Sequence, residues 1–133
     1  MVKSPFPTAE VIAILGFSAV DVPGHLQHFS GLTLAELQKL VEIEAADPDD
    51  AQNASPTIRE FLDDLEPYAA KAKLIGYVVY PPRDDARITI EGFTADGLTA
   101  DETVKLAFAY AGANEASYEK ADDGTYSVRF WWD

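Results

Sequence analysis

Helical periodicity of apolar residues dominates the first half of the chain. Apolar residues recur on one side of a helix over residues 9–15, with Thr8 as its N-cap and Gly16 as its end. After a loop, a second periodic segment runs from Thr33 to about Ala46. There Thr33 and Glu36 form the T-x-x-E pattern of a capping box, in which hydroxyl and carboxylate satisfy free backbone N–H groups. The pattern predicts two amphipathic helices before residue 47.

The segment that follows is polar and then becomes periodic again. Residues 47–55, DPDDAQNAS, lack any period and predict a linker. Ser55 followed by Pro56 is typical of an N-cap and a first helical position. The apolar period from Ile58 continues past Pro67 to Ala72, which predicts one kinked helix or two nearly coaxial helices.

Strand patterns replace the helical period after residue 72. LIGYVVYP is a continuous apolar run, rich in β-branched and aromatic residues, that is typical of a strand covered on both faces. RITIEGF alternates, with Ile88 and Ile90 on the inward face. A bulge at Gly92 would bring Phe93 onto that same face. The loop PPRDDA joins the two strands into a predicted hairpin.

A second T-x-x-E pattern, Thr99 with Glu102, begins the next helix, and Gly112 ends it. The apolar residues that predict its buried face are Val104, Ala107, Phe108 and Ala111. A final hairpin follows. The order after the linker is helix, strand, strand, helix, strand, strand, which predicts an α+β fold with a small antiparallel sheet packed against helices. We divide the chain into a helical N-terminal segment docked on the main layer, residues 1–46, the linker 47–55, and the α+β main layer, residues 56–133.

The closing hairpin, EASYEKADDGTYSVRFWWD, allows two registers. A two-residue Asp-Gly turn would place Val128 opposite Glu119. A three-residue loop, with Gly124 in the left-handed region, instead pairs Val128 with Tyr118 and Phe130 with Ala116. We prefer the three-residue loop because it collects the apolar side chains on one face.

This register separates the two adjacent tryptophans. Alternation places Trp132 on the apolar face, so Trp132 is predicted to be a core residue. It places Trp131 on the polar face with Arg129 and beside Glu115. Either the N-terminal helices cover Trp131, or it belongs to a partner or subunit surface, or the strand end frays. We take Trp131, Arg129 and Glu115 as candidate protein-interface residues.

Charge narrows the choice of partner. The 133 residues include 23 acidic and 10 basic ones, a formal net charge of -13. This charge repels nucleic-acid phosphates and anionic membranes, and it steers basic molecules towards the protein. The chain has 0 cysteines, which fits a reducing cytoplasm. We expect a cytoplasmic protein that binds a protein partner, basic partners included, or forms a homodimer, and that binds neither nucleic acid nor membrane.

Candidate catalytic and metal-binding residues are sparse. His25 and His28, in HLQH, would lie one helical turn apart, but only Asp21 is close enough in sequence to add a third metal ligand. Most of the Asp-Asp pairs lie in predicted turns, where aspartate bonds the local backbone. Phosphate-binding glycine loops and nucleophile elbows are absent from the sequence. We predict no catalytic residue, no cofactor and no metal, and leave a spatial pair of carboxylates open.

Two functions remain. The first is a non-catalytic protein-binding or self-associating small acidic domain, in the manner of a chaperone, an immunity protein or an adaptor. In size, charge and order of elements, the part after Ser55 resembles the small acidic dimeric chaperones of bacterial secretion systems, and the charge is similar to that of immunity proteins that neutralise basic toxins. Neither resemblance implies particular residues. The alternative is a small ligand-binding domain or enzyme with a pocket lined by Tyr77, Tyr80 and Tyr110. The missing catalytic motifs favour the first, non-enzymatic function.

Overall fold

A computed structural model describes residues 6–17, 26–81 and 83–133 of the chain. The helices and strands in these ranges are α1 (Thr8–Leu15), β1 (Leu26–Leu32), α2 (Leu34–Glu42), α3 (Ile58–Asp64), β2 (Ala72–Val79), β3 (Arg87–Leu98), α4 (Ala100–Ala109), β4 (Glu115–Lys120) and β5 (Tyr126–Trp131). A single 3₁₀ turn, Glu66–Tyr68, follows α3 in the described part. The predicted α+β class is confirmed.

All five strands of the described chain form one antiparallel sheet in the order β1-β2-β3-β5-β4. We call the face that carries Leu74, Phe93 and Phe130 the core face, because these side chains are buried together with residues of all four helices. The opposite outer face carries Tyr77 and Arg129, which alternate with the core residues along the strands. The helices therefore form one layer on the core face of the sheet.

Strand β1 replaces the loop predicted before Thr33, and that prediction is wrong for residues 26–32. β1 lies at the sheet edge, antiparallel to β2, with Leu26 opposite Val79. Its pairing is irregular between Phe29 and Leu32, the two residues that it buries. This irregularity breaks the two-residue period by which a strand is recognised in sequence. Residues 1–46 thus contribute a strand as well as helices.

Helix α2 begins where its capping box predicts. The Thr33 hydroxyl accepts a hydrogen bond from the Glu36 N–H at 3.1 Å, and the Glu36 carboxylate accepts one from the Thr33 N–H at 3.0 Å. The helix ends at Glu42, earlier than the predicted end near Ala46. Glu44, with a φ of 63°, turns the chain away from the helix axis. Helix α1 ends as predicted at Gly16, but it begins at Thr8, after Pro7 as its N-cap.

Helix α3 differs more from the prediction. Its N-cap is Thr57 rather than Ser55, since the Thr57 hydroxyl accepts a hydrogen bond from the Glu60 N–H at 3.1 Å. The predicted kinked helix to residue 72 is wrong, because the 3₁₀ turn ends the helical segment and Ala72 already belongs to β2. Ala72 lies opposite Ala95 and is fully buried. Pairing with β3 thus satisfies backbone groups that a longer helix would have satisfied itself.

The linker packs along the start of α3. The carbonyl oxygen of Pro48 accepts a hydrogen bond from the Arg59 N–H at 2.8 Å, and that of Asp50 accepts one from the Ile58 N–H at 3.0 Å. These two bonds satisfy backbone donors in the first turn of α3. They hold residues 48–50 against the helix.

The predicted β2–β3 hairpin forms, but the prediction that its first strand is covered on both faces is wrong, because alternate residues of β2 on the outer face are only half-buried. Strand β3 also continues to Leu98, beyond RITIEGF. In the β2–β3 hairpin, Ile75 lies opposite Gly92 and Gly76 opposite Ile90, so Glu91 is an extra residue in β3. This bulge brings Ile90 and Phe93, three positions apart, onto the core face, where both are buried. The predicted bulge at Gly92 is confirmed.

The final hairpin adopts the preferred register. Val128 lies opposite Tyr118, and Phe130 lies opposite Ala116. The loop closes with a hydrogen bond of 2.8 Å from the Ala121 N–H to the Thr125 carbonyl oxygen, and Gly124 has a φ of 85°. A glycine in the left-handed backbone conformation allows a three-residue turn to match the twist of the two strands that it joins.

Helix α4 starts at its predicted capping box, but its predicted buried face is wrong. Leu106 and Tyr110 are buried, whereas Val104 is 52% exposed and Phe108 is 81% exposed. The ring of Tyr110 lies 4.9 Å from that of Phe93, between centroids. Leu106 and Tyr110 have the same spacing along the helix as Val104 and Phe108. Packing against the aromatic core buries Leu106 and Tyr110 and leaves the other two exposed. The helix also ends at Ala109, before the predicted terminator.

Candidate functional site

The three candidate interface residues lie together on the outer face. Trp131 pairs with Glu115 across β5 and β4. The guanidinium carbon of Arg129 lies 5.8 Å from the centroid of the Trp131 ring, and Arg129 Nη1 lies 3.7 Å from Glu115 Oε2. Trp131 is half-buried. The helices of the described residues pack on the core face and do not cover Trp131, so it forms with Arg129 a partly exposed cation–π pair bordered by a carboxylate.

A glycine in the neighbouring strand allows this placement. Gly92 lies opposite Trp131. A Cβ atom on Gly92 would lie 2.1 Å from the Phe130 carbonyl oxygen and 3.0 Å from Trp131 Cα. Only a residue without a side chain permits β3 and β5 to approach this closely. Gly92 therefore fixes where β5, and with it Trp131, lies on the sheet.

Strand β4 is the edge of the sheet beside these residues. Among the strands of the described residues it pairs only with β5, and all six of its residues are exposed. The Ala121 N–H bonds to β5, so alternation directs the backbone groups of Ser117 and its odd-numbered neighbours towards β5 as well. The N–H and C=O groups of the even-numbered residues Ala116, Tyr118 and Lys120 consequently point away from the sheet. They offer an unpaired strand edge.

An apolar patch adjoins this edge on the core side. The large apolar side chains that are more than half exposed in the described residues are Val104, Phe108 and Tyr118. On the opposite side of α4, the Glu102 carboxylate accepts a hydrogen bond of 2.8 Å from Lys71, just before β2. Leu106 and Tyr110 face the sheet, so Val104, about 140° around the helix from them, lies on the upper side of α4 away from Glu102, and Phe108, about 180° around, points away from the sheet. We call β4, with Val104 and Phe108 on the core side and Arg129 and Trp131 on the outer side, the β4 edge surface.

The sequence around α4 contains more apolar residues than one buried helix face requires, and Phe108 is among them. Helix α4 has two apolar stripes, Leu106 with Tyr110 and Val104 with Phe108, each at a spacing of one helical turn. A helix on the surface of a small domain needs only one buried stripe. The second stripe is therefore surplus to the core.

A separate cleft of about 710 Å³ lies between the segment after α2 and the β2–β3 loop. Its charged lining residues are Glu44, Asp47, Asp50, Asp84, Asp85, Arg83 and Arg87. The tyrosines of the alternative hypothesis do not line it. Tyr80 and Tyr110 are buried in the core, and Tyr77 lies half-buried on the outer face.

Two carboxylates of this cleft, those of Asp50 and Asp85, have pKa values shifted in opposite directions. Burial raises the pKa of Asp50, and the charge of Arg87 only partly offsets this. A hydrogen bond from Arg87 lowers the pKa of Asp85, and Arg87 also donates to the Tyr77 hydroxyl at 3.2 Å. Arg87 thus forms hydrogen bonds with Asp85 and Tyr77. Its charge does not fully offset the burial that destabilises the ionised form of Asp50.

The predicted histidine pair is described only in part. His25 and Asp21 lie outside the described residues. His28 lies on the outer face of β1, with Nδ1 3.7 Å from Glu91 Oε1 and its ring 5.9 Å from that of Tyr77, between centroids. Within residues 6–17, 26–81 and 83–133, no three histidine, aspartate or glutamate side chains are grouped so that they could hold a metal ion.

Aspartates of the predicted turns bond the local backbone. Asp123 Oδ1 accepts a hydrogen bond from the Thr125 N–H at 3.0 Å, inside the final hairpin loop. Asp47 Oδ1 accepts one from the Asp49 N–H at 2.9 Å. These contacts are the local turn bonds for which aspartate is favoured.

None of the helices that the structure describes has the length and apolar character needed to cross a membrane. Comparisons of the chain with protein-family models, with curated proteins and with solved structures find no match.

Proposed function

We propose that this protein is a non-catalytic protein-binding domain that holds its partner at the β4 edge surface. The observation that carries the proposal is the 81% exposure of Phe108, on a helix whose other apolar stripe is already buried. Burying a phenylalanine side chain is favourable by roughly 1.5–3 kcal/mol. A partner that covers Phe108, Val104 and Tyr118 gains this free energy, and apolar patches of this kind are typical of interaction sites.

The strand edge adds directional contacts to this patch. An extended segment of a partner can add itself to β4 through main-chain hydrogen bonds, which is a recurrent mode of recognition. Arg129 and Trp131, on the outer flank, are of the residue types that most often dominate binding energy. The edge surface thus combines apolar contact, backbone pairing and two anchoring side chains.

The net charge of -13 attracts basic partners, whereas an acidic partner has to offset the repulsion through short-range contacts at the surface. Basic proteins are attracted over a distance, while nucleic acid and anionic membranes are repelled. This supports a role among the chaperone, immunity and adaptor functions that act on other proteins in the cytoplasm.

Ligand binding in the acidic cleft is a second candidate function. Its support is Asp50, whose Oδ2 atom is buried and has no hydrogen-bond partner among the described residues. A carboxylate with a shifted pKa in a cleft is a frequent feature of binding sites. Small amines that raise the melting temperature of the wild type, but not that of Asp50→Asn, would support this function over the first.

Photo-crosslinking at position 108 tests the proposed function. Benzoylphenylalanine is placed at Phe108 in the full chain within its native cells, with a matched variant at Glu42, an exposed residue of α2. We expect light-dependent adducts with a protein at position 108 and none at position 42. No adduct at 108, or equal adducts at both positions, would contradict the proposal.

A loss-of-contact variant completes the test. Phe108→Ser is expected to abolish the adducts formed from a crosslinker at Tyr118. It is expected to change the free energy of unfolding by less than about 0.5 kcal/mol, because the side chain is exposed. Lost adducts together with an unfolded variant would not count in favour of the proposal, so thermal unfolding is measured in parallel.

A further inference from the structure

We infer that the partner at the β4 edge surface is a second copy of this chain, bound antiparallel through β4 with Tyr118 opposite the partner's Tyr118. The inference rests on the proposed function and names its partner. A two-fold axis perpendicular to the sheet, at Tyr118, would join the two sheets edge to edge. The core faces of both copies then lie on the same side of one continuous sheet.

The backbone of β4 has the hydrogen-bonding pattern that this arrangement needs. The N–H and C=O groups of Ala116, Tyr118 and Lys120 point away from β5, because the loop-closing bond of Ala121 sets the alternation along β4. In a two-fold pair centred on Tyr118, the two Tyr118 residues exchange two hydrogen bonds. Ala116 exchanges two more with the partner's Lys120. All three outward-facing residues are satisfied at once.

Charge selects this register over its neighbours. A pair centred on Ser117 would place Glu115 directly opposite the partner's Glu119, and a pair centred on Glu119 would place two glutamates opposite each other. Like charges in these positions destabilise an antiparallel pair. Centring on Tyr118 places Glu119 opposite the partner's Ser117 instead. The charges of β4 therefore favour this register over the two adjacent ones.

The outer face of the same register brings opposite charges together. Arg129 in β5 lies opposite Ser117 in β4. The partner's Glu119 would continue this row, two strand spacings or roughly 10 Å from Arg129. Serine is short, so the arginine and glutamate side chains can meet across it. Arg129, now 3.7 Å from Glu115 at its nearest charged atoms, thereby gains a carboxylate from the second copy.

On the core side, the two copies would form a trough between their α4 helices. Helix α4 packs over β3 and β5. In the dimer, the two α4 axes would lie four strand spacings apart, roughly 19 Å. Helices of about 10–12 Å in diameter leave a trough of about 8 Å between them. The two Tyr118 rings form its floor, Val104 of each copy lies on its upper side, and Phe108 lies at its rim.

Salt dependence separates this partner from a basic one. Two copies that each carry a net charge of -13 repel each other, and salt screens that repulsion. We expect the dimer Kd to fall as salt increases from 0.02 to 0.15 M, values at which the Debye length decreases from roughly 20 Å to 8 Å. Binding to a basic protein would weaken over the same range.

Cysteine crosslinking tests the register, because the wild-type chain contains 0 cysteines. Tyr118→Cys is expected to form a disulfide-linked dimer on oxidation, since opposed residues have Cα atoms about 5.5 Å apart. Ala116→Cys alone is the matched control, because its equivalent in the partner would be about 14 Å away. Mixing Ala116→Cys with Lys120→Cys is expected to restore linkage. Linkage of Ala116→Cys alone would overturn the register and with it the inference.

Charge variants provide a second, independent test. Tyr118→Lys and Tyr118→Glu are each expected to raise the dimer Kd at least tenfold, because each places like charges at the two-fold axis. An equimolar mixture of the two is expected to associate again as a heterodimer in sedimentation measurements. Circular-dichroism melts verify that each variant folds. Association of either variant at the wild-type Kd would overturn the inference.

The outcomes also separate this inference from the proposed function. A wild-type chain that stays monomeric, while position 108 crosslinks to a different protein, overturns the second copy as the partner and keeps the proposed function. A monomer without any adduct overturns both. A dimer with the Tyr118 linkage and the heterodimer rescue supports both.

Discussion

Replacing Trp132 with alanine tests the assignment of the two tryptophans to opposite faces. Trp132 is 2% exposed, and its ring centroid lies 5.7 Å from that of Phe61 and 5.8 Å from that of Tyr110. The Trp132 N–H donates to the Glu91 carbonyl oxygen at 2.8 Å, so the end of β5 is tied to the sheet. The substitution would therefore open a cavity between α3, α4 and the sheet.

The expected loss follows from this burial. Truncation of a buried tryptophan costs about 3–5 kcal/mol, because the transfer free energy is lost and a cavity remains. This figure includes the aromatic contacts, which contribute about 0.5–1.5 kcal/mol each. The total stability of a domain is about 5–15 kcal/mol, so the variant should retain a fold with a melting temperature lower by roughly 10–20 °C.

Trp131→Ala is the matched control, since it removes the same side chain from the outer face. It is expected to cost less than about 1 kcal/mol of intrinsic stability, while it weakens association by about 2 kcal/mol. Urea unfolding followed by far-ultraviolet circular dichroism, at several protein concentrations, separates the two effects because association makes stability concentration-dependent. Equal losses for both variants, or a loss below about 1 kcal/mol for Trp132→Ala, would refute the assignment.

Three further predictions concern the core, the cleft and the N-terminal segment. Tyr110→Phe should leave the melting temperature unchanged or raise it, because the buried hydroxyl has no hydrogen-bond partner among the described residues; a clear decrease would reveal an essential bond. Asp50→Asn should stabilise the protein at pH 7, since burial raises the folded pKa and ionisation then costs stability above it. That gain should vanish below about pH 3 in denaturant titrations. A fragment of residues 47–133 should fail to unfold cooperatively, because it lacks β1 and the buried Leu37 and Leu40.

Local chemistry in the sequence determined the helix starts and the final turn. The capping boxes at Thr33 and Thr99 involve residues only three positions apart, so the local sequence alone marks where each helix begins. The final loop depends on Gly124, whose left-handed conformation selects a three-residue turn. This turn then fixes the register of β4 and β5, and the register places Trp131 and Trp132 on opposite faces.

Helix ends and the edge strand β1 depended on partners distant in sequence. Ala72 fits the helical period before it, yet it pairs with Ala95 and starts β2. The segment around Phe29 has no clear alternation, and it becomes a strand because the edge of β2 offers its backbone hydrogen bonds. Pairing between strands stabilises these conformations more than the local propensity of the residues opposes them. No pattern within either segment specifies the pairing partner.

The division between core and interface on α4 was decided by tertiary packing alone. Both of its apolar stripes have helical spacing, so periodicity cannot rank them. The aromatic rings of Phe93 and Phe130 form a surface that Tyr110 fits, at centroid distances of 4.9 Å and 5.7 Å. Close packing allows only one stripe to face that surface, and the other, with Phe108, is left in solvent. The sequence alone thus determined that α4 is a helix with surplus apolar residues, and the packed core decided which of them face outwards beside β4.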